Sequence, residues 1–341
     1  MGYRQAVRHW PLTPAYVGSN PTTPANFIFD KFVNLIYNIG IGGKGESMKR
    51  WLTEEIDRKP YICDLDKLKS AFDGIETSKG KVDRYFEVHP KAKDIIITVE
   101  KRKKRFRDSA LSYLALESGN EIDIIPSSDK ADFEIEEESR EMAKVLSYGE
   151  ACEMVHNAAM DKDGWLDDNL LIKAHTKLFD NDPERLNFVR YRFRSEKDPV
   201  LLVGQGYFNP VEGELVSTRM NFLFTNYYNA WREDHPIVKG AKFVTEYVRI
   251  QPHMDANKRT ALMALNFILE KNGYPDIYIN KAQADRFFEA LKVGMLDRDV
   301  TDLANLIAEN VQLRLNTRIK EIREYRIKNF QEEINRKSFT L

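Results

Sequence analysis

After residue 48, apolar residues recur along most of the chain at three- and four-residue spacing, which is the pattern of amphipathic helices. The clearest helical patterns cover residues 138–158, 168–179, 215–231, 236–250, 260–272, 281–291 and 302–336. One region differs, because residues 188–208 alternate or run apolar and contain Gly204 and Gly206, which is typical of a β-hairpin. The pattern therefore predicts a mainly α fold with one β-hairpin.

Changes in composition divide the chain into four segments. Residues 1–47 begin with a stretch rich in Pro, Gly and Thr, and we interpret them as a non-native or disordered extension, with Met48 as the true start. Residues 48–125 form a leading helical region, and a polar linker joins them to the core at residues 134–307. Residues 308–341 are a charged helical extension, whose charged face leaves a homo-oligomer as an open alternative.

Charge and cysteine content exclude several classes of protein. The formal net charge is −1, so the whole chain gives no indication of a nucleic-acid or membrane-surface partner. The basic run at 101–107 is better explained by a solvated helix face than by a nucleic-acid patch. Cys63 and Cys152 have no metal or disulfide spacing, and no run of 18 apolar residues occurs. We expect a cytoplasmic protein without a membrane span.

The ten residues from Gln251 to Thr260, QPHMDANKRT, lie between two helical patterns. Lys258 and Arg259 fall at the start of the second helix, where they oppose the helix dipole. Such a turn, with its unpaired N–H groups, binds anions, of which phosphate is the most usual. The alternative is an Asp255 N-cap beside a surface lysine and arginine. We favour phosphate binding.

This segment resembles the signature of the Fic/Doc (Fido) family, His-Pro-Phe-x-Asp/Glu-Gly/Ala-Asn-Gly/Lys-Arg. The matching residues are Pro252, Asp255, Ala256, Asn257, Lys258 and Arg259. Two positions depart from the pattern, since Gln251 stands where the family has its catalytic histidine and His253 where it has a buried Phe. The resemblance predicts a Fic-type helical bundle in which the β-hairpin is a flap that docks the target.

The flanking sequence extends this resemblance to about half the chain. Arg192-Phe193-Arg194, followed by Tyr207-Phe208-Asn209-Pro210, fits the flap pattern of Fic proteins, and His235-Pro236-Ile237 leads into the helix before the signature as it does in them. The resemblance assigns target docking to the flap by strand addition. Its expected docking residues are Val200, Leu201, Leu202, Val203, Tyr207 and Phe208.

The resemblance also implies the cofactors and the reaction. ATP and Mg²⁺ are expected, with Asp255 holding the metal and the signature residues holding the phosphates. The expected nucleotide-binding residues are Asp255, Ala256, Asn257, Lys258 and Arg259. Fic members transfer AMP to a target hydroxyl, whereas the Doc branch transfers the terminal phosphate. Both reactions depend on positioning and charge stabilisation around phosphate.

Gln251 puts the usual chemistry in question, because a carboxamide does not accept a proton near neutral pH. Losing a general base costs about 10²- to 10⁴-fold in rate. His253 is the nearest imidazole and a weak substitute base, but a core histidine is the better interpretation of that position. The chain is therefore a pseudoenzyme, a transferase whose target hydroxyl needs little deprotonation, or a transferase that uses another base.

Residues 112–120, SYLALESGN, resemble the inhibitory helix of some Fic proteins, with Glu117 as its glutamate. Leu262 replaces the arginine with which that glutamate pairs, and a helix end capped by Gly119 explains the same residues. Three functions stay open. They are a nucleotide-binding AMP transferase with impaired chemistry, a non-catalytic module that binds an unknown target protein, and a Doc-like kinase or toxin using another base.

Overall fold

The computed structural model describes residues 59–118, 132–180, 192–195 and 210–338. For residues 113–118, 132–141, 333 and 336–338 only the backbone is described. The predicted extension at 1–47 and all six predicted docking residues of the flap lie outside the described residues, so both stay predictions.

Ten α-helices form within the described ranges, which confirms the mainly α prediction. In chain order they are α1 Leu65–Val88, α2 Pro90–Ile96, α3 Val99–Ser118, α4 Asp132–Met160, α5 Asp168–Lys177, α6 Val216–Thr225, α7 Pro236–Ile250, α8 Asn257–Lys271, α9 Ala284–Asp297 and α10 Thr301–Ser338. A single π-helical turn, Asn226–Ala230, extends α6, and short 3₁₀ turns precede α6 and α9.

The antiparallel pair α7 and α8 forms the centre of the core. Both helices are buried over most of their surface, and Phe243, Tyr247 and Phe267 are among the largest fully enclosed side chains. Gly240 allows the close approach, because a Cβ built there would lie 2.4 Å from the Leu265 side chain. The six residues that join the two helices are thus held at both ends by rigid, buried elements.

The other long helices pack around this pair. α4 contacts α8 and α3, whereas α10 packs against α1, α7 and α9. A buried carboxylate at Asp276 ties two of these layers together, since it lies 3.2 Å from the guanidinium of Arg105 on α3 and 4.0 Å from that of Arg314 on α10. Burial raises the pKa of Asp276, but these two arginines lower it by more. The net pKa lies below the usual value, so the carboxylate stays ionised.

Near the first described residues, the chain is attached to the turn between α9 and α10. The N–H of Ile62 donates to the carbonyl of Arg298 at 2.8 Å, and the N–H of Val300 donates to the carbonyl of Ile62 at 3.0 Å. This parallel bridge is isolated, and the described ranges contain no β-strand. The segment before α1 is therefore attached to a turn that lies more than 230 positions later in the sequence.

The structure adjusts several predicted boundaries. The prediction for 236–250 matches α7, but α8 begins at Asn257 rather than at residue 260. α10 is one continuous helix, so the predicted boundary at residues 307/308 lies inside it. Within the described part of the chain, we find no helix with the length and apolar character needed to span a membrane.

Candidate functional site

The turn between α7 and α8 is built on two residues in the left-handed region. Gln251 ends α7 with φ 53° and ψ 61°, and its N–H donates to the carbonyl of Tyr247 at 3.1 Å. Ala256 precedes α8 with φ 59°. Residues with a Cβ adopt this conformation at a cost of about 1–2 kcal/mol, so surrounding contacts must hold both of them.

Side-chain amides supply those contacts for the backbone of the turn. The Oδ1 of Asn257 accepts from the N–H of His253 at 2.8 Å, and its Nδ2 donates to the carbonyl of His253 at 2.8 Å. The same Nδ2 donates to the Oε1 of Gln251 at 2.7 Å. Gln251 in turn donates from Nε2 to the carbonyl of Val248 at 2.8 Å. The side chain of Gln251, 4% exposed, therefore joins the end of α7 to the first residue of α8.

This arrangement gives two predicted site residues a structural task. Both side-chain polar atoms of Asn257 bind within the turn, and its contact with phosphate stays a prediction. Gln251 occupies the predicted base position with both ends of its carboxamide engaged. A carboxamide held in this way fixes the conformation of the turn and offers no proton acceptor of suitable basicity.

Arg194 is a third anchor that the sequence did not reveal. Its Nε donates to the carbonyl of Gln251 at 2.6 Å, and its Nη2 donates to the carbonyls of Ile250 at 3.2 Å and of Val211. Its own N–H donates to the carbonyl of Pro252 at 2.8 Å. The Arg-x-Arg pattern in the predicted flap marks Arg194 in the sequence. The pattern does not show that this side chain binds backbone carbonyls of the turn.

The charged residues lie at the N-terminal end of α8. The Oδ1 of Asp255 accepts from the N–H of Ala256 at 2.6 Å, and its Oδ2 lies 3.8 Å from the Arg259 guanidinium. Asp255 and Lys258 are partly exposed, whereas Arg259 is buried, with its guanidinium 5.9 Å from the ring centroid of Phe179. Two cations and the positive end of a helix dipole thus meet beside one carboxylate, an arrangement suited to an anion.

A phosphate-bound Mg²⁺ fits this donor set better than a metal held by protein alone. The described residues contain no group of three or more His, Cys, Asp or Glu side chains that could hold a metal. Mg²⁺ is commonly bound through one or two carboxylates together with substrate phosphates. Asp255 is the carboxylate that the turn provides.

His253 lies in the core, in agreement with its interpretation from the sequence as a core histidine. It is 2% exposed and stacks on His175 with ring centroids 3.6 Å apart, while Phe193 contacts its edge at 5.5 Å. Neither of its ring nitrogens has a hydrogen-bond partner among the described residues. Burial lowers its pKa well below the usual value, and His175 and Arg194 lower it further. These surroundings leave it a poor substitute base.

The candidate inhibitory helix is only partly described. α3 includes Glu117 and ends at Ser118, but the Glu117 side chain is not described and residues 119–120 lie outside the described ranges. Leu262, at the position of the missing arginine, is buried and lines a small pocket together with Ser109 of α3 and Tyr148 of α4. The inhibitory role of Glu117 stays a prediction.

A second group of buried charges was not predicted at all. Glu246 on α7 accepts from the hydroxyl of Tyr61 at 2.7 Å, binds the guanidinium of Arg298, and lies 3.8 Å from Arg219. Burial raises the pKa of Glu246, but Arg298 and Arg219 together lower it by more, so the net pKa is well below its usual value. This cluster fixes α7 one turn before the candidate site, and we call it the Glu246 cluster.

Residues 165–269 match the model of the Fic/DOC family. Among curated proteins, this chain is similar to a protein adenylyltransferase Fic of Aedes aegypti, at 25% identity over 100 residues that cover 28% of this chain and 20% of that protein. It is also similar to a protein of the same name from Drosophila yakuba, at 29% identity over 82 residues covering 24% and 16% of the two chains. The chain therefore spans about a fifth of the length of these relatives.

Solved structures show the same fold over most of the chain. A Fic-1 structure from C. elegans has a TM-score of 0.56 at 18% identity, covering 75% of this chain and 73% of that one. A Fic domain-containing signaling protein from Bacteroides thetaiotaomicron has a TM-score of 0.53 at 17% identity, covering 75% and 97%. At these identities the likeness establishes the fold alone.

Proposed function

We propose that the chain binds ATP together with Mg²⁺ at the turn between α7 and α8, which lies within the residues that match the Fic/DOC family model. One observation carries the proposal. Lys258 and Arg259 lie in the first turn of α8, behind a backbone that buried amides hold in a fixed conformation. Such a site binds phosphate without further ordering, which reduces the entropic cost of binding.

Each residue of the site has a defined part in the proposal. Arg259 supplies a charged fork from within the core, and the partly exposed Lys258 supplies a second cation. Asp255 supplies the carboxylate for Mg²⁺. Bound ATP would provide the nucleotidyl or phosphoryl group for transfer, and the residues of the turn orient its phosphates.

The proposed activity is AMP transfer to a hydroxyl of a target protein, strongly impaired by Gln251. Both polar ends of the Gln251 side chain are used inside the turn, so no side chain at that position removes the hydroxyl proton. His253 does not replace it, because the imidazole is buried and its pKa is lowered. We expect a rate reduced by about 10²- to 10⁴-fold relative to a member with a histidine there.

Nucleotide binding is tested by calorimetric titration of the full chain with ATP and Mg²⁺. Removing one charged hydrogen-bonding group from a phosphate costs about 1.5–3 kcal/mol, so Arg259→Ala should weaken binding roughly tenfold to a hundredfold. Arg286→Ala is the control, because Arg286 is an exposed arginine paired with Glu309 away from the turn. Absence of binding by the unchanged chain, or equal effects of the two substitutions, would refute the proposal.

Group transfer is tested with ATP labelled at either the α- or the γ-phosphate in a cell lysate. We expect little transfer by the unchanged chain and clear transfer of the α-label by Gln251→His. Transfer of the γ-label instead would establish the kinase alternative. Efficient transfer by the unchanged chain would show that Gln251 does not impair the reaction.

A non-catalytic binding module is the second candidate, and the engagement of Gln251 in the turn favours it. In that case the family scaffold docks a target protein and the turn serves stability alone. The titration separates the two candidates, because the module predicts no ATP binding and no dependence on Arg259.

A further inference from the structure

We propose that Arg194 is a positioning residue, which holds the turn between α7 and α8 in the conformation that presents α8 to phosphate. This inference rests on the proposed nucleotide site. Arg194 lies outside the signature, and its hydrogen bonds to the turn go to the backbone carbonyls of residues 250–252.

The burial of Arg194 indicates a specific task. The residue is 5% exposed, and its guanidinium donates to three main-chain carbonyls, at Val211, Ile250 and Gln251. A buried guanidinium is retained only where its hydrogen bonds are satisfied, because an unpaired buried charge is very costly. Its acceptors come from the end of α7 and from the chain that enters α6, so one side chain joins two segments.

The position of the guanidinium also matches the electrostatics of α7. Helices leave their last carbonyls without intrahelical partners, and these carbonyls form the negative end of the dipole. Arg194 binds the carbonyls of Ile250 and Gln251, the last residue of α7 and its cap. A lysine cannot reproduce this, because one ammonium does not have the planar fork that reaches acceptors on two segments.

The contacts form a continuous path from Arg194 to the first residue of α8. Arg194 fixes the carbonyls on both sides of the left-handed Gln251, and its own N–H fixes the carbonyl of Pro252. The Gln251 side chain then accepts from Asn257, which begins α8. A shift of the backbone at residues 250–252 would therefore move the end of α8 that carries Lys258 and Arg259.

The neighbouring Phe193 contacts the same turn. Its ring meets the edge of His253 at a centroid distance of 5.5 Å and an interplanar angle of 62°. Phe193 and Arg194 are both buried. Two consecutive residues thus contact consecutive parts of one turn, by apolar packing and by hydrogen bonding.

The test compares Arg194→Lys with Arg219→Lys in the full chain. Arg219 is a matched control, because it is also 5% exposed but lies on α6 against Glu246 rather than on the turn. Both substitutions should lower the melting temperature. Only Arg194→Lys should weaken the binding of Mg-ATP and of inorganic triphosphate, by roughly tenfold, since small displacements of a binding group are costly.

Amide exchange gives a second readout that does not depend on nucleotide binding. Arg194→Lys should accelerate exchange at residues 253–259 in the nucleotide-free protein, with little change on α10, whereas Arg219→Lys should not produce this local effect. If Mg-ATP does not bind the unchanged chain, the proposed function fails, and the exchange pattern alone decides the role of Arg194. Equal effects of the two substitutions on exchange, or on affinity where Mg-ATP binds, overturn the inference.

Discussion

Two turns of this molecule each hold a non-glycine residue in the left-handed conformation, but through different hydrogen-bond partners. The turn after α7 and the turn after α9 each begin with a non-glycine residue in the left-handed region, Gln251 at φ 53° and Arg298 at φ 63°. In each, the side chain of that residue is buried and hydrogen-bonded. The partners differ. Arg298 binds the carboxylate of Glu246 and the hydroxyl of Tyr61, whereas Gln251 binds the neighbouring amide of Asn257 and a backbone carbonyl.

The difference separates a structural turn from a candidate functional one. The Glu246 cluster joins residues that are far apart in sequence, and 185 positions separate Tyr61 from Glu246. The side-chain network around Gln251 lies within residues 248–257, and Arg194 binds the backbone carbonyls of that turn rather than a carboxylate. The charged groups of that turn, Asp255 and Lys258, are left partly exposed at its edge. We infer that one turn stabilises the fold and the other presents charge.

The largest expected effect comes from removing Glu246, the carboxylate on α7 that binds Arg298 in the turn after α9. Glu246→Ala should lower the free energy of unfolding by about 3–5 kcal/mol, because it leaves buried guanidinium groups without their carboxylate. Urea denaturation measures this. Glu309→Ala is the control, since its exposed pair with Arg286 should contribute about 0–1 kcal/mol. A loss of Mg-ATP affinity comparable to that of Arg259→Ala would contradict the separation of the two turns.

The same carboxylate predicts a pH dependence of stability. The folded pKa of Glu246 is lowered, so its contribution is complete above the unfolded pKa of about 4.3 and is lost as pH falls from there towards the folded pKa. The free energy of unfolding of the unchanged chain should therefore fall more steeply below that pH than that of Glu246→Gln, as measured by urea denaturation. Parallel curves for the two proteins would show that the cluster is not the source.

An intermediate effect is expected at the turn after α7. Gln251→Ala removes two hydrogen bonds and should cost about 1–3 kcal/mol of unfolding free energy. Gln251→Gly removes the same bonds but relieves the left-handed strain of about 1–2 kcal/mol, so it should be the more stable of the two. Thermal or urea unfolding decides the order. A less stable glycine variant would show that the left-handed backbone is not strained there.

The smallest effect is expected at His253. His253→Phe replaces a buried imidazole, whose nitrogens have no hydrogen-bond partner among the described residues, by the apolar ring that the family has there. The change should be neutral or stabilise by up to about 1 kcal/mol at pH 7. The folded pKa of His253 is lowered, so its penalty on the folded state appears as pH falls below about 6.5. The variant should therefore lose less stability than the unchanged chain between pH 7 and pH 5.

The sequence predicted the elements whose information is local. The periodicity of residues 236–250 gave both ends of α7, and the pattern from Asp255 to Arg259 gave the charged end of α8. The left-handed Gln251 and the buried Asn257 lie inside the matched signature, but spacing alone does not show which polar atoms a turn uses internally. The interpretation of Asn257 as a phosphate ligand stays a prediction, beside the hydrogen bonds that this side chain makes within the turn.

The sequence did not predict the interactions that tertiary packing creates. Glu246 falls within an amphipathic helix and has no local partner, since Tyr61, Arg219 and Arg298 come from three other parts of the chain. Arg194 was noted only as part of a motif, because its acceptors are backbone carbonyls with no sequence signature. Most of the predicted β-hairpin at residues 188–208 lies outside the described residues, and residues 192–195, which are described, are not in a β-strand, so the hairpin stays a prediction.

The length of α10 offers a practical handle on the protein. The helix runs for 38 residues, about 57 Å at 1.5 Å per residue, and its last buried side chain among those described is Ile322. The turns after Ile322, which include the exposed Phe330, line a groove together with the end of α1 and the start of α2. A fluorophore attached through Phe330→Cys should therefore report on whatever enters that groove.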